Sequence, residues 1–246
     1  MPKRKLEPVS DPDDKGHRFG NFHQYYDFHP IRERLSMLEG VLDEVVSNAG
    51  STFEYLDVGC NEGDLTLGIG EALRHRMLQS PRPEGASGQL VRVHGLDIDP
   101  VLIERARKKS MKGVEAIFEV QNVLDAKELP RADLVSLFST TMWLHIHGGD
   151  EGLRSALSRM CKAARRYLVI EAQPSKCYRN TVVRLRRMNR PEVDVSSDRL
   201  EMRLDIEKEV HQHLLSESFQ LVERASDEGK RTSWQRAIRL YKRVQM

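Results

Sequence analysis

Features that several protein classes require are missing from this sequence of 246 residues. No apolar run approaches the roughly 20 residues that a membrane-spanning helix needs. The opening segment, MPKRKLEPVSDPDD, lacks the apolar stretch of a secretory signal. We therefore expect no membrane association and a location in the cytoplasm, with the nucleus as an alternative because of the short basic run at residues 3–5.

Cysteine is also scarce. Cys60, Cys161 and Cys177 have no paired spacing, which fits a reducing compartment and argues against a zinc site built from thiolates. Two alternating histidines, His145 and His147, do not form a metal site without a carboxylate or a third ligand. The sequence therefore predicts no metal cofactor.

The composition is that of a soluble globular protein, with 39% hydrophobic and 31% charged residues. Residues 1–17 are polar and offer little to bury, so we expect a disordered tail there. Residues 18–246 are predicted to form a single domain, with an N-terminal lid and helix at 18–50 and a basic helical insertion at 176–218. We expect this domain to be a monomer.

Positive charge is concentrated in two segments. Residues 154–190 contain eleven Lys and Arg but one acid, and residues 231–243 contain five Lys and Arg and no acid. Between them, residues 192–209 carry seven acids against three bases. Such segregation is typical of a nucleic-acid-binding face, although solvated helix surfaces would give the same pattern.

Buried strands alternate with amphipathic helices along the chain. This alternation predicts a mostly parallel sheet with helices on both faces. The predicted strands are 53–59, 90–99, 114–120, 133–140 and 166–172, with closing strands in 219–224 and 233–243. The predicted helices are 31–48, 64–78, 100–110, 150–163, 177–188 and 204–217.

Polar and small residues end the first three predicted strands. Gly59 and Gly63 let the backbone approach a ligand closely after the first strand, and Asp57 beside them could accept from a ligand ammonium or organise the loop. Asp97 ends the second strand, where a carboxylate can accept from both hydroxyls of a ribose; the alternative is a helix cap before Pro100. Asn122 ends the third strand and suits an adenine edge.

This layout is the one that S-adenosylmethionine-dependent methyltransferases use. A phosphate-cradling GxGxxG turn is not present, because Asn61 stands where its second glycine would be. We therefore predict a Rossmann-like class I methyltransferase domain with a seven-stranded α/β sheet and S-adenosylmethionine as the cofactor.

Six sequence blocks make the resemblance more specific. They are FGNF with FHP (19–30), LDVGCNEGDL (56–65), DIDPVL (97–102), TMWLHIHGGDEGL (141–153), QPSKCYR (173–179) and TSWQR (232–236). The chain resembles the Bicoid-interacting-protein-3 family of RNA 5′-phosphate methyltransferases, and its 5′-monophosphate branch more than its RNA-capping branch. Within the family's usual EPQPW motif, Ala172 and Ser175 replace a proline and a tryptophan.

The resemblance implies a set of cofactor contacts. They are expected at Arg34, Asn61, Asp97, Asn122, Val123 and Phe138. We add the neighbouring positions of the same motifs, which are Phe19, Asp57, Gly59, Gly63 and Ile98.

Methyl transfer to a phosphate oxygen requires positioning and charge rather than a catalytic carboxylate, because a terminal phosphate is largely dianionic at neutral pH. The candidate catalytic residues are Tyr25, Asn21, His145 and Lys176. The candidate substrate-binding residues are Arg18, Trp143, Arg179 and Arg186. Each also has a plain structural explanation: loop histidines, a packing tryptophan, or solvated cations on the helix at 177–188.

Residues 19–28 hold five aromatic side chains, an unusual density ahead of a domain core. We predict that this segment folds across the carboxyl ends of the strands as a lid. Phe19 and Tyr25 are expected to contact ligand, whereas Tyr26 and Phe28 are expected to pack.

The sequence thus predicts a methyltransferase that acts on the 5′-terminal phosphate, most simply a monophosphate, of a small structured RNA. Alternatives are an RNA γ-phosphate capping methyltransferase, a small-molecule or protein methyltransferase, and a non-catalytic RNA-binding protein that retains the cofactor fold.

Overall fold

The computed structural model describes residues 25–47, 49–79, 90–187, 200–222 and 231–244, with side chains in the sixth helix described only to residue 181. The expected disordered tail at 1–17 and the first half of the lid lie outside these residues. Among the described residues, no helix is long and apolar enough to cross a membrane.

The described residues contain seven strands, which are β1 Thr52–Val58, β2 Leu90–Asp97, β3 Val114–Val120, β4 Ala132–Phe138, β5 Ala164–Glu171, β6 Phe219–Leu221 and β7 Arg239–Arg243. They form one sheet in the order β3-β2-β1-β4-β5-β7-β6. Strands β1 to β5 run parallel, and β7 pairs antiparallel with both β5 and β6. The predicted seven-stranded, mostly parallel sheet is confirmed.

Helices pack against the sheet. They are α1 Tyr25–Phe28, α2 Ile31–Val46, α3 Asp64–Gln79, α4 Pro100–Arg107, α5 Thr141–Ala163, α6 Ser175–Arg187 and α7 Ile206–Ser216, the last preceded by a 3-10 turn at Glu201–Asp205. One hydrophobic core joins the sheet to α2, α3 and α4, and another joins it to α5 and α7.

Helical periodicity explains why α2 packs as predicted. Leu38, Val41, Leu42 and Val45 recur at spacings of three and four residues, and each is buried. Such a stripe lies on one side of a helix, so the helix buries it against the sheet.

Two elements differ substantially from their predicted bounds. Helix α5 begins at Thr141 rather than near 150, because Met142 and Ile146, one turn apart, are both buried against Tyr178 and Leu200. The helix is kinked at Gly149, whose φ of 69° is not helical. The closing strand spans only Arg239–Arg243, since residues 232–236 form a hydrogen-bonded turn before it.

Candidate active site

A cavity of about 1100 Å³ opens at the carboxyl ends of the parallel strands. Residues from the ends of β1, β2 and β4 line it, together with the segments that follow β3 and β5. Helix α1, the first turns of α5 and α6, and the 233–236 turn complete the wall. In open parallel sheets ligands bind at this edge, so the cavity is the candidate active site.

The turn after β1 forms part of this wall and has an unusual backbone conformation. Gly59, Asn61 and Gly63 adopt positive φ angles of 78°, 53° and 79°, a backbone region that favours glycine. A side chain at Gly59 would also collide with Thr140. The amides of Gly59 and Cys60 donate to the carbonyl of Leu96 at 2.7 and 2.9 Å, which ties the turn to β2.

Asp97 holds the same turn from the end of β2. Its carboxylate accepts from the amides of Asn61 at 2.9 Å and of Asp99 at 3.0 Å. Burial raises the pKa of Asp97 to about 6. The helix cap that Asp97 could have provided is supplied instead by Asp99, which accepts from the amide of Val101 at 2.8 Å.

Asp57 lines the cavity, but both of its oxygens accept from internal hydroxyls. Thr66 Oγ1 and Ser136 Oγ each donate to it at 2.6 Å. Burial raises the pKa of this carboxyl. Of its two predicted roles, organising the turn is the one that these contacts support.

Asn122 and Val123 line the cavity after β3, as does Ile98 after β2. The amide group of Asn122 is engaged locally, because it donates to Asp125 at 2.6 Å and accepts from the amide of Leu124 at 3.1 Å. These bonds shape the 122–125 turn. A ligand in the cavity would therefore meet the 122–125 turn, in which the side-chain amide of Asn122 already makes two hydrogen bonds.

Arg34 lies at the centre of the site with its side chain fully buried. Its Nε and Nη2 donate to Glu171 Oε2 at 3.0 and 2.8 Å, and Nη2 also donates to the hydroxyls of Tyr25 and Ser139 at 2.7 and 2.9 Å. Its Nη1 has no hydrogen-bond partner among the described residues. One guanidinium nitrogen is thus left for a ligand.

Glu171 organises this cluster and was not predicted from the sequence. Its Oε2 accepts from Ser139 at 2.6 Å as well as from Arg34, and its Oε1 accepts from Trp234 Nε1 at 2.8 Å. It is the one acid within residues 154–190 and ends strand β5. Those two facts were the signal that could have identified it.

A second arginine, Arg236, was also missed, although it belongs to the TSWQR block. It is 8% exposed. Its Nη1 donates to Ser139 Oγ and, at 3.3 Å, to the Tyr25 hydroxyl, while Nη2 contacts Cys177 Sγ at 3.7 Å. The site therefore contains two neighbouring guanidinium groups.

Comparisons with known proteins agree with this architecture. Residues 132–243 match the family model described as Bicoid-interacting protein 3 (Bin3). The chain is 33% identical over 242 residues to a "Pre-miRNA 5′-monophosphate methyltransferase" of Danio rerio, with 92% of each chain covered. The chain belongs to the Bin3 family.

A mouse relative and a solved structure extend the comparison. The "RNA 5′-monophosphate methyltransferase" of Mus musculus is 33% identical over 258 residues, covering 96% of this chain and 85% of that protein. Magnesium protoporphyrin IX methyltransferase from Synechocystis, with bound S-adenosylhomocysteine, matches at a TM-score of 0.55 and 17% identity, covering 96% and 95% of the two chains. This Bin3 chain has the class I methyltransferase fold.

The described part of the lid lies where the lid hypothesis places it. Tyr25, Tyr26 and His29 line the cavity, and the Tyr25 ring stacks on His29 with centroids 4.6 Å apart. Tyr26 also packs against the core. The side chain of Phe28 is 55% exposed, and its expected packing stays a prediction. Arg18, Phe19 and Asn21 lie outside the described residues.

The structure does not place His145, a predicted catalytic residue, on the cavity wall. Its side chain is fully buried, with an exposure of 0%. Its ring nitrogens pair with the Tyr178 hydroxyl at 2.9 Å and with Asp150 at 2.5 Å, while burial lowers its pKa. His145 is therefore a buried histidine whose two ring nitrogens both have hydrogen-bond partners.

The other predicted substrate-side residues divide into three groups. Trp143, Lys176 and the neighbouring His147 line the cavity, as does Phe138, a predicted cofactor contact. Arg179 is exposed on α6 outside the cavity wall. The side chain of Arg186 lies outside the described residues. Among described residues, no cluster of three or more metal-ligating side chains occurs.

Replacing His145 by Ala is expected to lower stability without weakening cofactor binding. The substitution leaves Tyr178 and Asp150 without their buried partner, a loss of about 1–3 kcal/mol, or roughly 2–12 °C in a domain of this size. Thermal unfolding and calorimetry with S-adenosylhomocysteine measure the two effects. His147→Ala, on the cavity wall, is the matched control and should leave the unfolding temperature unchanged; an unaltered unfolding temperature in His145→Ala would contradict the assignment.

Proposed function

We propose that the chain is an S-adenosylmethionine-dependent methyltransferase that methylates the 5′-terminal monophosphate of a small structured RNA. The observation that carries the proposal is the buried pair of arginines in the strand-end cavity, each with a guanidinium nitrogen that has no partner among the described residues. An anionic substrate group beside a nucleoside cofactor suits such a site. The printed names of the Bin3 relatives support the same chemistry.

The residues present fit the cofactor. Gly59 and Asn61 bring the backbone of the turn after β1 to the cavity wall, and Asp97 offers a carboxylate for the ribose. Ile98, Asn122 and Val123 would enclose the adenine. The free Nη1 of Arg34 is placed to bind the carboxylate of the amino-acid moiety.

S-adenosylmethionine supplies a methyl group on a positively charged sulfur. The chain itself must hold a phosphate oxygen in line and exclude water, because a phosphate with a second pKa near ~6 is already a nucleophile at neutral pH. Tyr25, Trp143 and Trp234 line the cavity as bulky aromatic walls. A general base is not required, which agrees with the burial of His145.

Positive charge beside the cavity supports an RNA substrate. Lys176 and Arg179 are exposed in the first turns of α6, and the 154–190 segment holds eleven Lys and Arg. Cations of this kind bind a nucleic-acid backbone, so affinity should fall with salt. The three free thiols support action in a reducing compartment such as the cytoplasm.

The test is transfer of a labelled methyl group to RNA hairpins that differ only at the 5′ end. We expect label on the 5′-monophosphate hairpin and its loss after phosphatase treatment. Preferential labelling of a 5′-triphosphate hairpin would indicate the capping alternative. Multiple turnovers distinguish a catalyst from a protein that only binds RNA. Equal labelling of the dephosphorylated hairpin would refute the proposal.

A further inference from the structure

The two arginines of the site differ in how their charge is balanced. Both donate to the Tyr25 and Ser139 hydroxyls, so their guanidinium groups lie side by side. Arg34 forms an ion pair with Glu171 at 2.8 Å. Arg236 contacts two hydroxyls and a thiol, and within the described part of the chain no carboxylate pairs with it.

An uncompensated cation at this depth is unfavourable unless an anion joins it. Arg236 is 8% exposed, and the positive Arg34 lies beside it. Buried charges in proteins are normally paired or bound to a ligand. Of the two arginines, Arg236 is therefore the one that a bound anion would stabilise more.

Two unpaired nitrogens mark the same place. Arg236 Nε and His29 Nδ1 are buried, have no partner among the described residues, and belong to side chains of the cavity wall. The His29 ring is held between Tyr25, at 4.6 Å, and Trp234, at 4.8 Å. Since buried polar atoms are nearly always hydrogen-bonded, a ligand is the expected partner.

We propose that Arg236 binds the 5′-terminal phosphate of the RNA, with His29 as a second ligand, and that Arg34 serves the cofactor. This inference rests on the proposed methyltransferase function. The amino-acid moiety of the cofactor carries a carboxylate and an ammonium, so it suits Arg34, whose charge Glu171 already balances. A phosphate dianion needs net positive charge, which Arg236 provides and the exposed Lys176 of the same cavity increases.

The experiment measures RNA binding rather than turnover. Fluorescence anisotropy gives the Kd of one hairpin with a 5′-phosphate or a 5′-hydroxyl, with S-adenosylhomocysteine present. We expect the wild-type chain to prefer the phosphorylated hairpin on the order of 10- to 100-fold, the range for charged hydrogen bonds. In Arg236→Gln this preference should fall to near one, while affinity for S-adenosylhomocysteine changes by less than about threefold.

Arg165→Gln is the matched control, because it removes the same charge at the opposite end of β5, where the side chain is exposed. It should keep the full preference. If Arg236→Gln does not fold, Arg236→Lys provides the test, since lysine keeps the positive charge but lacks the planar guanidinium group. The preference of this variant for the phosphorylated hairpin should fall to an intermediate value.

Each outcome separates the two proposals. A wild-type chain without preference for the phosphorylated hairpin refutes the proposed function and this inference with it. A preference as large as that of the wild-type chain in Arg236→Gln or Arg236→Lys overturns the inference alone. Loss of S-adenosylhomocysteine binding in Arg236→Gln, with the phosphate preference intact, assigns Arg236 to the cofactor and equally overturns it.

Discussion

Replacing Glu171 by Ala is expected to destabilise the domain by about 3–5 kcal/mol, the usual cost of removing one partner of a buried ion pair. Both Glu171 and Arg34 have side-chain exposures of 0%, so the guanidinium would stay buried without its counter-charge. Trp234 and Ser139 would lose their acceptor as well. The free energy of unfolding, measured by urea denaturation, gives the effect directly.

The same substitution should also abolish binding of S-adenosylhomocysteine at micromolar concentrations, because Arg34 loses the contacts that orient it. Trp234→Phe is the matched control, since it removes the bond to Glu171 Oε1 but keeps an aromatic ring beside His29. That variant should lose about 1 kcal/mol and keep its affinity for the cofactor. A Glu171→Ala variant as stable as the parent protein would show that the ion pair contributes nothing.

Replacing Asp97 by Ala is expected to weaken binding of S-adenosylhomocysteine by on the order of 100-fold or more. Two charge-assisted hydrogen bonds to ribose hydroxyls, at about 1.5–3 kcal/mol each, would be lost. The amide of Asn61 would lose its acceptor too, which loosens the turn after β1. Isothermal titration calorimetry measures the change, and an unaltered Kd would refute the ribose assignment.

The pH dependence of cofactor affinity provides a second test of Asp97. Its pKa is raised to about 6 by burial, and the ionised form is the better acceptor. Affinity should therefore be constant above about pH 7 and decrease as the pH falls through 6, by at most tenfold per unit for one proton. His29, whose pKa is lowered by burial and by Arg236 to about 4, stays neutral over this range. Asp97→Asn should show no such decrease.

Much of the fold could be predicted because its signals are local. Strand and helix periods reside in neighbouring residues, and Pro100 with Asp99 marks the start of α4. The prediction was wrong about where α5 begins, since it placed the start near 150 and the helix starts at Thr141. Only the burial of Met142 and Ile146 against Tyr178 and Leu200 shows that the helix starts earlier.

The cofactor side of the site was also accessible from the sequence. Gly59, Asp97 and Asn122 end three consecutive strands, and parallel strands bring their carboxyl ends to one edge. Knowing the strand ends was therefore enough to place these residues in one cavity. The role of His145 was not accessible in the same way, because the face of α5 that it occupies depends on the helix start.

The sequence by itself thus determined the parallel α/β sheet, the strand-end cofactor residues and the resemblance to the Bin3 family. The tertiary structure alone decided which charges meet. Arg34 is 137 positions from Glu171, Trp234 is 63 positions from it, and Arg236 is 97 positions from Ser139. An ion pair depends on the distance and burial of its two groups, and no local pattern encodes either across such separations.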